Sequence, residues 1–218
     1  AVFSISALTL SAAILLSSLH IYKPDGFEPG WIYELIYEGT GPLVLGCGYL
    51  AIRNIVSFLK FESFDSDGNK NPLVKTIEQA YCWGRSQTGR AIRDALYLGL
   101  NSDECGRKVF DGVMPHVSGA GRMWFNHRFA IANSPAGQQF ETHDNPADRF
   151  PFAYSKCDDP ITGRSDSILK NPQTDPYVIH TQTSTEYWQR RGSLVHTDPN
   201  GNDIEIPKNV RIYFWSSS

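Results

Sequence analysis

The sequence predicts an α/β fold, a mostly parallel sheet with helices on both faces. Short apolar runs alternate with helix-spaced stretches from residue 31 to residue 215, which is the order of repeated strand and helix units. One of those runs, Tyr81-Cys82-Trp83-Gly84, leads through Arg85-Ser86-Gln87-Thr88-Gly89 straight into a helical pattern, across a turn bracketed by glycines. The length, 218 residues, is enough to bury one sizeable core and short for two.

The elements follow in order. The first nineteen residues carry no charge and resemble the apolar core of a secretion signal, but neither a Met nor a basic segment precedes them, so an element of the fold is the equal alternative. Five serines make this stretch too polar for a spanning helix, and no membrane span is expected. Residues 1–26 are set apart as an apolar N-terminal segment and 27–218 as the domain. An extracytoplasmic location follows only if the segment is a signal remnant. Residues 31–37, WIYELIY, lie between Pro29-Gly30 and Gly39-Thr40-Gly41-Pro42 and read as a strand. Ile52, Ile55, Val56 and Leu59 give a helix one apolar face, which ends at the polar loop ESFDSDGNKNP. A strand at 77–83 and a helix carrying Ile92, Ala95, Leu96 and Gly99 come next. Further strands are expected at 109–117, 177–181 and 210–215. Residues 118–176 lack period and are rich in Pro, Asn, Asp and aromatics, as in a lid-like insertion.

Composition excludes several classes. A net charge of −3 with scattered Lys and Arg leaves no basic stripe for nucleic acid. Cys47, Cys82, Cys105 and Cys157 are far apart with no C-x-x-C pair, which argues against a zinc site or redox motif; no metal and no cofactor is expected. Cys82, inside an apolar run, reads as a small buried hydrophobe.

The turn at Ser86 admits two chemistries. A phosphate loop needs G-x-x-x-x-G-K-[ST], but here Arg90 stands for the lysine and Ala91 cannot ligate a metal. A nucleophile elbow needs small residues two before and two after its serine; Gly84 meets the first demand, and Thr88 with Gly89 behind it approximates the second. Serine also caps helices well, which is the plain alternative for Ser86.

From about Phe27 onward the stretches GFEPGWIYELIY, GRSQTGRAIRDALYLG, GRKVFDGVMPHVSGA, FNHRFA and STEYWQRRGSLVHTD resemble, in order, the α/β-hydrolase fold, in particular a large and poorly characterised bacterial family of alpha/beta hydrolase domain proteins. The resemblance implies a serine hydrolase. Ser86 is then the nucleophile and the N–H of Gln87 an oxyanion donor, with the second donor upstream of Ala1. The acid is expected after the penultimate strand, where Glu186 stands; Thr183-x-x-Glu186 is also a capping box. Asp144 and Asp148 are weaker candidates. The base should follow the last strand, yet no histidine comes after VRIYFW, so the chain is expected to be a fragment without its general base. His116 and His196 are the fallback bases. His127 and His143 belong to the lid-like segment, and His180 to a strand.

The expected substrate is a small-molecule ester, opened through an acyl-enzyme, in a pocket to which Trp124, Phe125, Phe150, Phe152 and Trp188 contribute; Arg85 and Arg191 are candidates to meet an anionic group. The alternative is a non-catalytic binding module of the same fold. Nothing in the sequence sets the oligomeric state.

Overall fold

The structure, a computed structural model, describes residues 2–3, 14–17, 20–31, 37–38, 46–123 and 150–216. The chain divides into two compact units, Ala1–Val44 and Leu45–Ser218, each described by itself. In the first, β1 (Val2–Phe3), β2 (Ile14–Ser17), β3 (His20–Tyr22) and β4 (Tyr37–Glu38) form two antiparallel pairs, β1 with β4 and β2 with β3. Of the strand expected at 31–37, Tyr37 lies in β4, and residues 32–36 are outside the described residues.

The second unit holds a helix α1 (Cys47–Phe61), a strand β5 (Tyr81–Arg85), a helix α2 (Gln87–Tyr97) and a strand β6 (Gly112–His116). A two-residue pair follows, β7 (Cys157–Asp158) with β8 (Ser165–Asp166), then β9 (Tyr177–Thr183), α3 (Ser184–Gln189) and β10 (Val210–Trp215). The order β10-β9-β6-β5 makes one four-stranded sheet, parallel throughout. Its strands therefore all end at one edge, and the junctions that follow β5, β6 and β9 gather there. The α/β class with a parallel sheet is as the strand and helix alternation predicts. Within residues 118–176 the described part carries only the β7–β8 pair; residues 124–149 lie outside it.

Two side chains set element boundaries, of which periodicity alone misplaces the first. The strand begins at Tyr81, not at residue 77, because Asp111 holds Ala80 out of the ladder: the Ala80 N–H donates to Asp111 Oδ2 at 2.9 Å and the Asp111 N–H to the Ala80 carbonyl at 2.8 Å. Lys60 of α1 donates to the same carboxylate at 2.6 Å. Burial pushes the Asp111 carboxyl up, but the Lys60 and Ala80 donors outweigh it and leave it below the usual range. At the end of α1, the fully buried Asn71 amide donates to the carbonyls of Phe58, Leu59 and Glu62 at 3.0, 3.0 and 2.7 Å, at the turn where a helix runs out of its own donors.

The core lies on one face of the sheet. Ile92 and Leu96 of α2 pack with Val113, Val178 and Val210, and Ala120, Tyr154, Ile168 and Val195 complete the buried cluster. On the other face, among the described residues, Tyr81, Trp83, Tyr177, Ile179, Tyr213 and Trp215 are exposed. One loop recurs three times with one chemistry. In Asp65–Asn69, Asp103–Arg107 and Asp198–Asn202 the aspartate Oδ1 accepts from the amides two and four residues on, and a glycine three residues on takes positive φ. No helix among the described residues is long and apolar enough to cross a membrane.

Candidate active site

The site grows from the junction of β5 and α2. Ser86 is exposed and holds φ 53° and ψ −113°, a conformation that costs a non-glycine residue roughly 1–3 kcal/mol and persists only where its surroundings impose it. The imposing contacts are visible. The Ser86 N–H donates to the His116 carbonyl at 2.8 Å, tying the turn to the end of β6, and Arg90 N–H donates to the Ser86 carbonyl at 3.0 Å. A Cβ on Gly84 would stand 2.5 Å from the Thr88 carbonyl oxygen, and one on Gly89 2.9 Å from the Gly84 oxygen. Strand and helix thus approach more closely than side chains permit. Thr88, where the stricter pattern has glycine, closes the turn: its hydroxyl accepts from Arg85 N–H at 2.8 Å and donates to the Arg85 carbonyl at 2.9 Å.

The Ser86 side chain makes no capping hydrogen bond to α2, which removes the plain capping explanation for a serine there. Gln87 is the first residue of α2, so its N–H has no acceptor within the helix and points with the positive end of the helix dipole.

Glu186 sits at the matching junction, third residue of α3 after β9. The Thr183 N–H donates to Glu186 Oε2 at 2.9 Å and the Thr183 hydroxyl to the same oxygen. The capping box therefore forms, and it engages one carboxylate oxygen while Oε1 has no hydrogen-bond partner among the described residues. Register relates the two junctions: Arg85 pairs with His116, and His116 with Thr181, two residues before Thr183.

The imidazoles of the fallback histidines have other partners. His116 closes β6, its ring stacked at 6.1 Å on Trp83 and at 5.6 Å from Trp215, with Nδ1 2.7 Å from the Thr181 hydroxyl. His196 stacks at 6.1 Å on Tyr187, and its Nδ1 is 3.8 Å from the exposed Asp203. Among the described residues neither imidazole is hydrogen-bonded to Ser86 or Glu186. His180 is inside β9 and fully buried, its Nδ1 hydrogen-bonded to the Tyr154 hydroxyl at 2.9 Å; burial pushes it well below the usual imidazole range, Arg93 adds to the push, and Gln182 opposes it. Asp144, Asp148, His127, His143, Trp124 and Phe125 lie outside the described residues.

Of the expected pocket aromatics, Phe150 is core and Phe152 packs edge-on against it, while Trp188 is exposed. Arg85 is exposed beside Ser86, and Arg191 takes φ 55° at the end of α3. The cysteines are free thiols, and burial raises that of Cys82, as expected of a buried hydrophobe and unlike a nucleophile. Among the described residues no group of His, Cys, Asp or Glu is placed to hold a metal.

A parallel sheet with a serine on a compressed strand-to-helix turn and a carboxylate two strands away at the same edge is a hydrolase-like arrangement. The family model described as Alpha/beta hydrolase domain matches residues 26–217. The chain belongs to that family. No curated protein and no solved structure matches this alpha/beta hydrolase domain chain.

Sequence reading missed the contacts that surround these residues. Thr181, Trp83 and Trp215 around His116 are set by strand register, which no local pattern reveals. Arg93 was readable: Gly89, Arg93 and Leu96 share one buried helix face, so a charge stands in the middle of an apolar stripe.

Proposed function

We propose that this alpha/beta hydrolase domain protein is a serine carboxyl-ester hydrolase working through an acyl-enzyme, and the observation that carries the proposal is the Ser86 turn. An exposed hydroxyl held at φ 53° without a capping bond, at the front of a helix N-terminus, is what a nucleophile elbow requires. Ser86 Oγ attacks the ester carbonyl and passes its proton to an imidazole. The Gln87 N–H donates to the oxyanion, the carbon–oxygen bond to the alcohol breaks, and the alcohol leaves with the proton from the imidazolium. Water then attacks the acyl-Ser86 carbonyl by the same proton route and releases the acid.

Glu186 is proposed as the acid that orients and stabilises the imidazolium through Oε1, its Oε2 being fixed by Thr183. Because His116 and His196 are engaged with Thr181 and Tyr187, the base is assigned to a histidine outside the described residues. Support for this comes from the family's order of serine, acid, then histidine.

The test is hydrolysis of a fluorogenic short-chain ester by the protein and by its Ser86→Ala, His116→Ala and His196→Ala forms. Ser86→Ala should lower turnover at least ~1000-fold, and neither histidine variant should lower it by ~100-fold. A ~100-fold loss in His116→Ala or His196→Ala would put the base at that histidine. Turnover unaffected by Ser86→Ala, or absent from the protein, would favour the non-catalytic binding module.

A further inference from the structure

Arg93 is fully buried two helical turns beyond Ser86, and among the described residues no carboxylate stands within ion-pair distance of it. Its Nε and Nη2 donate to backbone carbonyls of two separate segments, while the buried Nη1 has no hydrogen-bond partner among the described residues. Nε donates to Gly121 at 3.1 Å, and Nη2 to Ala120 at 2.8 Å and to Phe152. The guanidinium also lies over the Tyr154 ring at 5.0 Å, and the Tyr154 hydroxyl in turn shares a hydrogen bond with His180 of β9. A buried charge without a charged partner is a poor way to fill a core, since an apolar side chain of like volume packs there with no desolvation penalty. What a guanidinium offers instead is a rigid plane of donors that fixes several carbonyls at set angles.

Two of these carbonyls, those of Ala120 and Gly121, belong to a segment on which both halves of the candidate site rest. In residues 116–121, the His116 carbonyl accepts from Ser86 N–H at 2.8 Å, Val117 N–H donates to Thr181 at 2.8 Å, and Ala120 N–H donates to the Arg190 carbonyl at 3.0 Å. Gly89 of α2 is packed so closely that an added Cβ would lie 3.1 Å from both the His116 oxygen and Ser118 Cβ. Gly119, at φ 61°, is packed against the Arg190 backbone at the end of α3 with no room for a side chain. So the 116–121 segment touches α2 on one side and α3 on the other.

We infer that Arg93 is a positioning residue for the proposed hydrolysis: by clamping the carbonyls of Ala120, Gly121 and Phe152 it fixes the 116–121 segment, and through it the separation of Ser86 from Glu186. This rests on the serine-hydrolase reading. Lysine cannot replace it, because one ammonium reaches fewer of the three carbonyls and imposes no plane.

The experiment uses the full-length protein with Arg93→Lys and Arg93→Ala. Each variant is assayed for kcat and KM on a short-chain ester, with thermal midpoint and near-ultraviolet dichroism as controls for folding. Folded Arg93→Ala should lose ~10- to 100-fold in kcat with KM changed less than about threefold, since a small misplacement of reacting groups lowers the rate of chemistry more than binding. Millimolar guanidinium should restore part of the kcat of Arg93→Ala, and methylammonium should not. Arg93→Lys should show the same split at a smaller scale. A folded Arg93→Ala with parental kcat, or a loss shared equally by KM and kcat and not rescued, overturns the inference.

If Arg93→Ala does not fold, Arg93→Lys decides by the same criteria. If the parent itself shows no Ser86-dependent turnover, the hydrolase reading fails separately, and amide exchange then tests the clamp. Arg93→Lys should lose protection at Ser86 and Ala120 while the β9–β10 ladder keeps it, and unchanged protection at both amides sinks the clamp as well.

Discussion

Two strand-to-helix junctions of the same sheet are built on opposite principles. At Thr183 the chain enters α3 with φ −110°, an ordinary extended conformation, and side chain and backbone satisfy each other through Glu186. At Ser86 the chain enters α2 with φ 53°, the hydroxyl caps nothing, and Gly84 and Gly89 are pressed against backbone. The first junction is what local stability selects. The second is what remains when local stability yields to placing one hydroxyl in the open, and the His116 carbonyl, the Thr88 clasp and the parallel ladder hold it there.

If the contrast is right, the two junctions answer to substitution in different ways. The largest effect is expected from Glu186→Gln in the full-length protein: ester turnover falls ~100-fold or more because an amide cannot stabilise an imidazolium, while stability changes little because the amide oxygen still accepts from Thr183 N–H. Equal turnover in the variant would leave Glu186 as a helix cap alone. Gly84→Ala comes next. Its Cβ would sit 2.5 Å from the Thr88 carbonyl oxygen, a backbone atom that cannot yield cheaply, so a loss of about 2 kcal/mol in chemical denaturation is expected. A loss under about 0.5 kcal/mol would mean that the turn is not compressed. The smallest effect has the opposite sign. Ser86→Gly should abolish turnover yet stabilise the fold by up to about 1 kcal/mol, by relieving positive φ, whereas Thr183→Gly should destabilise it. Destabilisation at both positions would erase the distinction between the junctions.

How much of this was legible depends on how local its cause is. The Gly84, Ser86 and Gly89 spacing records a close approach within six residues of chain, and Thr183-x-x-Glu186 records a cap within four, so both were readable. The start of β5 was not, because a carboxylate 31 residues away, Asp111, decides it. Nor were the contacts of His116, which come from Trp83, Thr181 and Trp215 on three other strands. For the same reason local spacing does not rank the histidines: which strand ends share an edge is a matter of adjacency in space, and that leaves no trace in the spacing of residues along one strand.

The three aspartate loops carry a consequence of another kind. Asp65–Asn69 reads DSDGN and Asp198–Asn202 reads DPNGN, and both close with the same set of internal bonds, down to the asparagine amide donating to the aspartate Oδ2 at 2.9 and 3.0 Å. Asp103–Arg107 uses the same frame but spends its second oxygen on Ser57 and Arg107, and although burial pushes that carboxyl up, these donors hold it at about 2. The first and last loops are therefore interchangeable cassettes, each carrying its own closure, and the middle one is a cassette welded to its neighbours. Writing the first into the place of the last should leave the melting temperature unmoved, so foreign sequence grafted at either exposed cassette has the best chance of leaving the rest of the chain intact.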